Sequence, residues 1–297
     1  MNSLPILIRR EFWEHRMLWI APLVFVGIGL LMWCFVPGPG FYGIPQGVRV
    51  PDLGPERSVV VFLAGQALFT LFLVLMMGAV VFFYLADCLY AERKDRSILF
   101  WKSLPVSDWI TVLSKATVAL LVMPLAIWAL GVVANLLAYF IVWIRFHGTA
   151  VMPNFIRWDT GAWLQLNGRL FANILVIALW YAPIVGYQLL LSAWARSAVL
   201  VWMLVPPLAL IAAEGFFLRT SEVAQFLGYR LLGGLFFGHQ AMPNFEVGRG
   251  THNTVSGVLR DVNLLPALSN VDLWLGVAVA IVLVLAAIRI RRYRDDS

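Results

Sequence analysis

Six apolar runs punctuate this chain, at residues 19–36, 59–86, 111–143, 170–193, 198–218 and 272–290. Each is long enough, at about 20 residues, for a helix to cross a hydrocarbon core. The pattern predicts an all-α integral membrane protein of six transmembrane helices, with both termini on the same side. No internal repeat, low-complexity tract or shift of composition marks off a soluble domain, so residues 1–297 read as a single membrane domain.

The segments between the runs carry their own periodicities. Over residues 3–17, Leu4, Ile8 and Phe12 recur every four positions and Leu7 and Trp13 widen the stripe, which predicts an N-terminal interfacial helix. Arg10 and Glu14 are one turn apart there and can pair. The run at 111–143 exceeds what a bilayer needs, so that helix is expected to tilt, project, or kink near Pro124. Asp108 before it is a candidate N-cap, with Pro105 ending the preceding helix. Residues 194–197 leave room only for a tight hairpin. The long loop at 219–271 holds two shorter apolar pieces, 223–237 and 255–268, expected as short helices that dip into the interface or cap the bundle.

Composition fits the same solvent: 61% of residues are hydrophobic, 13% are charged and the mean hydropathy is +0.84, more apolar surface than a soluble domain hides. The first run follows a charged segment without a small-residue cleavage pattern and is expected to be a retained span. With the termini inside, 13 of the 22 Lys and Arg residues, including every lysine, fall on inner segments, which predicts cytoplasmic termini. The net charge of +6 clusters beside the spans, where anionic headgroups and orientation account for it without nucleic acid. Cys34 and Cys88 fall at opposite ends of the first two spans, so neither a disulfide nor a cysteine-based metal site is expected.

Several chemistries lack their residues. A phosphate loop needs Gly-Lys-Ser/Thr, yet the one lysine followed by Ser, Lys102, is preceded by Trp101. An intramembrane serine protease needs a His at membrane depth, whereas His15, His147, His239 and His252 fall in interfacial or outer segments. His239 and His252, with Glu246 and Asp261, lack tight ligand spacing, so no metal site is expected. Within the spans, Glu214 is a costly carboxylate expected to snorkel or pair with Arg219 or another outer Arg, with a place in a substrate pathway as the alternative. Asn135 and Gln188 are candidates for helix-to-helix hydrogen bonds or a polar pathway.

The segment at 91–108, AERKDRSILFWKSLPVSD, is charged, then aromatic, and stands between two apolar runs. Its charges can face water while Ile98, Leu99, Phe100, Trp101 and Leu104 meet headgroups or another protein. Glu92-Arg93-Lys94-Asp95-Arg96-Ser97, followed by Leu99, Leu104 and Pro105-Val106-Ser107, resembles the cytoplasmic segment after the second span in ATP-binding-cassette (ABC) type-2 exporter permeases. Arg9-Arg10-Glu11-Phe12, the six spans and the long loop before the last span are similar to that family's plan; Asp95-Arg96-Ser97 stands where the family usually has Gly.

The resemblance implies a permease subunit in a bacterial inner membrane, paired as a homodimer or with a related chain. A separate cytoplasmic ABC subunit would bring ATP and Mg, and this chain would hold no cofactor and hydrolyse nothing. It also implies a cytoplasmic coupling helix between spans two and three. Leu99, Trp101 and Leu104 would insert into the ATPase, Pro105 would close the turn, and Glu92, Arg93, Lys94, Arg96 and Lys102 would orient the dock. The rival reading is a non-transporting anchor or assembly subunit that recruits a cytoplasmic partner through the same segment. A lipid-modifying enzyme would need intramembrane acid–base or metal clusters that the sequence does not offer.

Overall fold

The computed structural model describes residues 3–35, 54–95, 107–146, 157–233, 254–256 and 265–293, and all regular structure among them is helical. In order these are α1 (Ser3–Glu14), α2 (Met17–Phe35), α3 (Gly54–Asp87), α4 (Tyr90–Lys94), α5 (Asp108–Thr117), a π turn (Val118–Val122), α6 (Met123–Phe146), α7 (Thr160–Trp194), α8 (Val199–Ala213), a second π turn (Glu214–Leu218), α9 (Glu222–Leu232), a 3-10 turn (Leu265–Ser269) and α10 (Val271–Tyr293). Five continuous stretches are long and apolar enough to cross a membrane: Glu56–Lys94, Asp108–Arg145, Thr160–Trp194, Val199–Leu218 and Val271–Tyr293. Taken together across their 62° bend, α1 and α2 make a sixth. Length and composition thus describe a multi-pass membrane protein.

The differences from the hydropathy pattern have local causes. Helix α7 starts at Thr160 rather than 170 because Asp159 caps it, its carboxylate accepting from the Ala162 amide at 2.9 Å. The added turns bury Ala162 and Leu166 against Val59, Val60 and Leu63 of α3, while Gln165, Asn167 and Arg169 interrupt the apolar run without interrupting the helix. The long third span carries a π turn just before Pro124, where the Met123 amide reaches back to the Val118 carbonyl. A widened turn accommodates a proline that has no N–H to give and whose ring crowds the turn behind it. Helix α1 stops at Glu14. It turns Leu7, Ile8, Glu11 and Phe12 against the bundle and leaves Leu4 and Trp13 exposed, so the expected stripe is only partly its buried face.

Helix α7 is the bundle's axis, and its most extensive contact is with α10. The two run in the same direction: Trp180 clusters with Leu273, Gly186 meets Ala280, and Leu189 and Ala193 share a buried cluster with Ala287 and Ile288. Gly186 permits this approach, since a Cβ there would stand 3.1 Å from the Ala280 carbonyl oxygen. The hairpin after α7 is as tight as expected and turns on Ala198, held at φ 49°. Helix α8 is the least enclosed of the spans, with Leu200, Trp202, Leu204, Val205, Leu208 and Leu210 all exposed, a face for lipid or for another chain.

At the end of the bundle where α10 begins, α9 folds back as a cap. Trp180 Nε1 donates to the Arg230 carbonyl at 2.9 Å and the Tyr181 hydroxyl to the Leu231 carbonyl at 2.7 Å. The Arg230 guanidinium lies 4.6 Å above the Trp180 ring, in space that only Gly276 leaves open, and burial lowers its pKa from the usual value.

The α7–α10 approach yields a prediction. Gly186→Leu should destabilise the purified protein by about 1–3 kcal/mol through overpacking, whereas Gly78→Leu, with nothing within 4 Å of its Cβ position, should not. Thermal unfolding of both variants in detergent measures the difference; equal melting would contradict the close approach.

Candidate functional site

At the opposite end of the bundle, the two described roots of the charged segment are fixed by different devices. Helix α3 breaks after Asp87, and Ser192 of α7 bridges the break: its hydroxyl accepts from the Leu89 and Tyr90 amides, each at 3.2 Å, and donates to the Ala86 carbonyl at 3.0 Å. Arg93 then donates to the Ser192 carbonyl at 2.6 Å and the Ala195 carbonyl at 2.8 Å, satisfying carbonyls at the α7 terminus with a cation where the helix dipole favours one. On the far root Ser107, not Asp108, caps α5, its hydroxyl accepting from the Ile110 amide at 3.4 Å. Asp108 stands instead in the first helical turn, where the helix dipole favours a carboxylate.

Between these roots lies a buried ionic network. Lys115 Nζ is 2.8 Å from Glu11 Oε1 and 3.1 Å from Glu92 Oε1. Arg291 of α10 pairs through one nitrogen with Glu92 Oε2 and through Nε, at 3.1 Å, with Asp108. Arg10 reaches Glu92 at 3.2 Å and closes the expected pair with Glu14. Tyr84 donates its hydroxyl to Glu11 Oε2 at 2.9 Å, and the His15 ring packs edge-on to Tyr84 at 4.9 Å. Five elements, α1, α3, α4, α5 and α10, thus meet through side chains that the chain separates by up to 199 positions.

The electrostatics decide what such a site does. Glu11 and Lys115 are 0% exposed, Glu92 5% and Arg291 4%, so the enclosed core holds two carboxylates and two cations and is neutral. Removing ions from water costs several kcal/mol each, and only close pairing with satisfied hydrogen bonds offsets that. The network therefore adds little net stability but strongly penalises any arrangement that separates its members. Glu11, Glu14 and His15 bring three potential metal-ligand atoms within 4.8 Å of one another, but Lys115 and Arg10 already engage the carboxylates. The cluster is suited to holding helices in register.

The structure redistributes the residues singled out from sequence. Glu92 is buried in the network and half-buried Arg93 closes α7, because neither charge can be left in the bundle without compensation. Lys94 is exposed. Arg96, Leu99, Trp101, Lys102, Leu104 and Pro105 lie outside the described residues, as do His147, His239, Glu246, His252 and Asp261. Asn135 and Gln188 are buried within the bundle. Glu214 is not compensated through Arg219. Its carboxylate accepts from the Thr220 hydroxyl at 2.7 Å and the Glu222 and Val223 amides at 2.6 and 2.8 Å, capping α9.

Sequence reasoning missed Glu11, Lys115 and Arg291 as one site. The signal was Lys115 itself, a cation about one turn inside an apolar run, which requires a carboxylate partner. Its register relative to α1 and α10 is a tertiary fact. Comparison with family models, with curated proteins and with solved structures finds no match to this chain.

Lys115→Met leaves Glu11 without its cation and should cost about 3–5 kcal/mol. Glu11→Gln/Lys115→Met, which removes both charges, should recover most of that loss. Unfolding of the three proteins by denaturant in micelles tests this; a double variant no more stable than the single one would show that the pair is not coupled.

Proposed function

We propose that this chain is the membrane-spanning permease subunit of an ABC type-2 exporter, driven by a separate cytoplasmic ATP-binding subunit. The observation that carries the reading is that Arg291, on the last helix, pairs with both Glu92 and Asp108. Those residues stand at the two ends of the segment whose motif resembles the coupling helix of that family. A load applied to the segment would reach α10 through Arg291, α1 through Arg10 and Lys115–Glu11, and α7 through Arg93 and Ser192.

Such a machine needs a stiff connector, because a motor shifts a pathway between two states only through contacts that differ between them. In this reading Leu99, Trp101 and Leu104 are the anchors that enter the ATPase, and Lys94, Arg96 and Lys102 steer it; Glu92 and Arg93 belong to the root, not to the docking face. ATP and Mg reside in the partner. The membrane is the bacterial inner membrane, with both termini cytoplasmic. A second copy or a related permease completes the pathway, and the exposed apolar face of α8 supports a lateral partner. Asn135 and Gln188, both buried, and Gln66, the one of the three whose amide atoms find no hydrogen-bond partner among the described residues, are candidates to line that pathway.

The test is affinity purification from the native membrane. The wild-type chain should carry a phosphate-loop ATPase, and without it should show no ATP turnover. Trp101→Ala/Leu104→Ala should leave membrane yield unchanged and reduce retention of the ATPase at least tenfold, since a buried anchor contributes about 2 kcal/mol or more. Unchanged retention contradicts the docking assignment, and a well-behaved complex containing no ATPase contradicts the exporter reading in favour of an anchoring subunit.

A further inference from the structure

The last two turns of α10 carry Arg289, Arg291 and Arg292, and the structure divides them into two roles. Arg291 is buried and neutralised by Glu92 and Asp108. Arg289 and Arg292, three positions apart and so on neighbouring positions of the helix surface, are exposed and line a groove of about 750 Å³ between α10 and the start of α5. Trp109 and Tyr293, 50% and 71% exposed, also line it, and Leu285 and Ile288 extend it down the apolar length of α10. Among the described lining residues the one acid, Asp108, already faces Arg291, so within that set Arg289 and Arg292 are surplus positive charge.

From this juxtaposition we infer that the groove is a binding site for one anionic phospholipid, its phosphate between Arg289 and Arg292 and its acyl chains along Leu285. The chemistry matches at each level. Guanidinium groups present paired donors that fit phosphate oxygens. Trp and Tyr prefer the headgroup layer. Below them, Leu285 is 41% exposed, apolar surface that a soluble anion would leave uncovered. The occupant would sit beside the Arg291–Asp108 pair and hence beside the root of the charged segment. The inference requires that α10 cross a bilayer and does not depend on the ATP-driven reading.

Native mass spectrometry of the purified chain, offered phosphatidylglycerol or phosphatidylcholine with identical chains, tests it. The wild type should retain phosphatidylglycerol roughly tenfold to thirtyfold better, the preference expected from two cations near a headgroup. That preference should fall as salt is raised. Arg289→Gln/Arg292→Gln should lose it while eluting as the same species on size exclusion, and Arg289→Lys/Arg292→Lys should keep most of it. Should the Gln variant not fold, the wild-type lipid preference and its salt dependence still decide the matter. Equal retention of the two lipids by the wild type, or an undiminished preference in a folded Gln variant, overturns the site. Displacement of phosphatidylglycerol by an equal concentration of inorganic phosphate also overturns it, because the groove would then be reading a free anion and not a lipid.

Discussion

Everything at the charged end of this bundle depends on the cost of burying ions. Glu11, Glu92, Lys115 and Arg291 have given up water and hold one another instead, and a buried ion that loses its partner is far more costly than the pair is favourable. That asymmetry makes the network a constraint on geometry. Helices α1, α5 and α10 can slide against one another only if the charges travel together, whereas apolar contacts alone would tolerate small slips. A segment rooted at Glu92 and Asp108 is thereby referenced to three helices at once.

The opposite end solves a similar problem differently. Glu214 is also buried, but among the described residues its carboxylate accepts from no lysine or arginine; three local donors at the start of α9 engage it, two of them backbone amides. The contrast is instructive: a carboxylate bonded to backbone amides fixes one local turn, and a carboxylate bonded to cations from other helices fixes tertiary arrangement. Arg230, laid on Trp180 in the space left by Gly276, ties the same cap to α7 and α10. The bundle is thus pinned at both ends, with α8 left apolar and exposed along its side.

How far the sequence exposes this depends on the kind of interaction. Apolar runs are local and dense, so the membrane-crossing helices are legible, and so is the pair Arg10–Glu14, one helical turn apart. The start of α7 is not legible from hydropathy because Gln165, Asn167 and Arg169 dilute the run; the cap at Asp159 marks it better. Asp108 reads as a cap by type, yet Ser107 takes that place because it stands immediately before the first helical residue. Charge in a short segment beside a bundle reads as solvated, and only the packed helices show that Glu92 is buried among cations while half-buried Arg93 spends donors on the end of α7. Arg291 reads as one of several orienting arginines, and nothing local distinguishes it from Arg289 or Arg292.

The central claim is that Arg291 mechanically joins the two roots of the charged segment. Hydrogen–deuterium exchange of the intact protein in nanodiscs tests this most directly, comparing wild type with Arg291→Gln. The account predicts faster exchange in both Tyr90–Lys94 and the first turns of Asp108–Thr117, rising together, with the α7–α9 cap at the far end unchanged. Faster exchange at one root alone, or at neither, would contradict it.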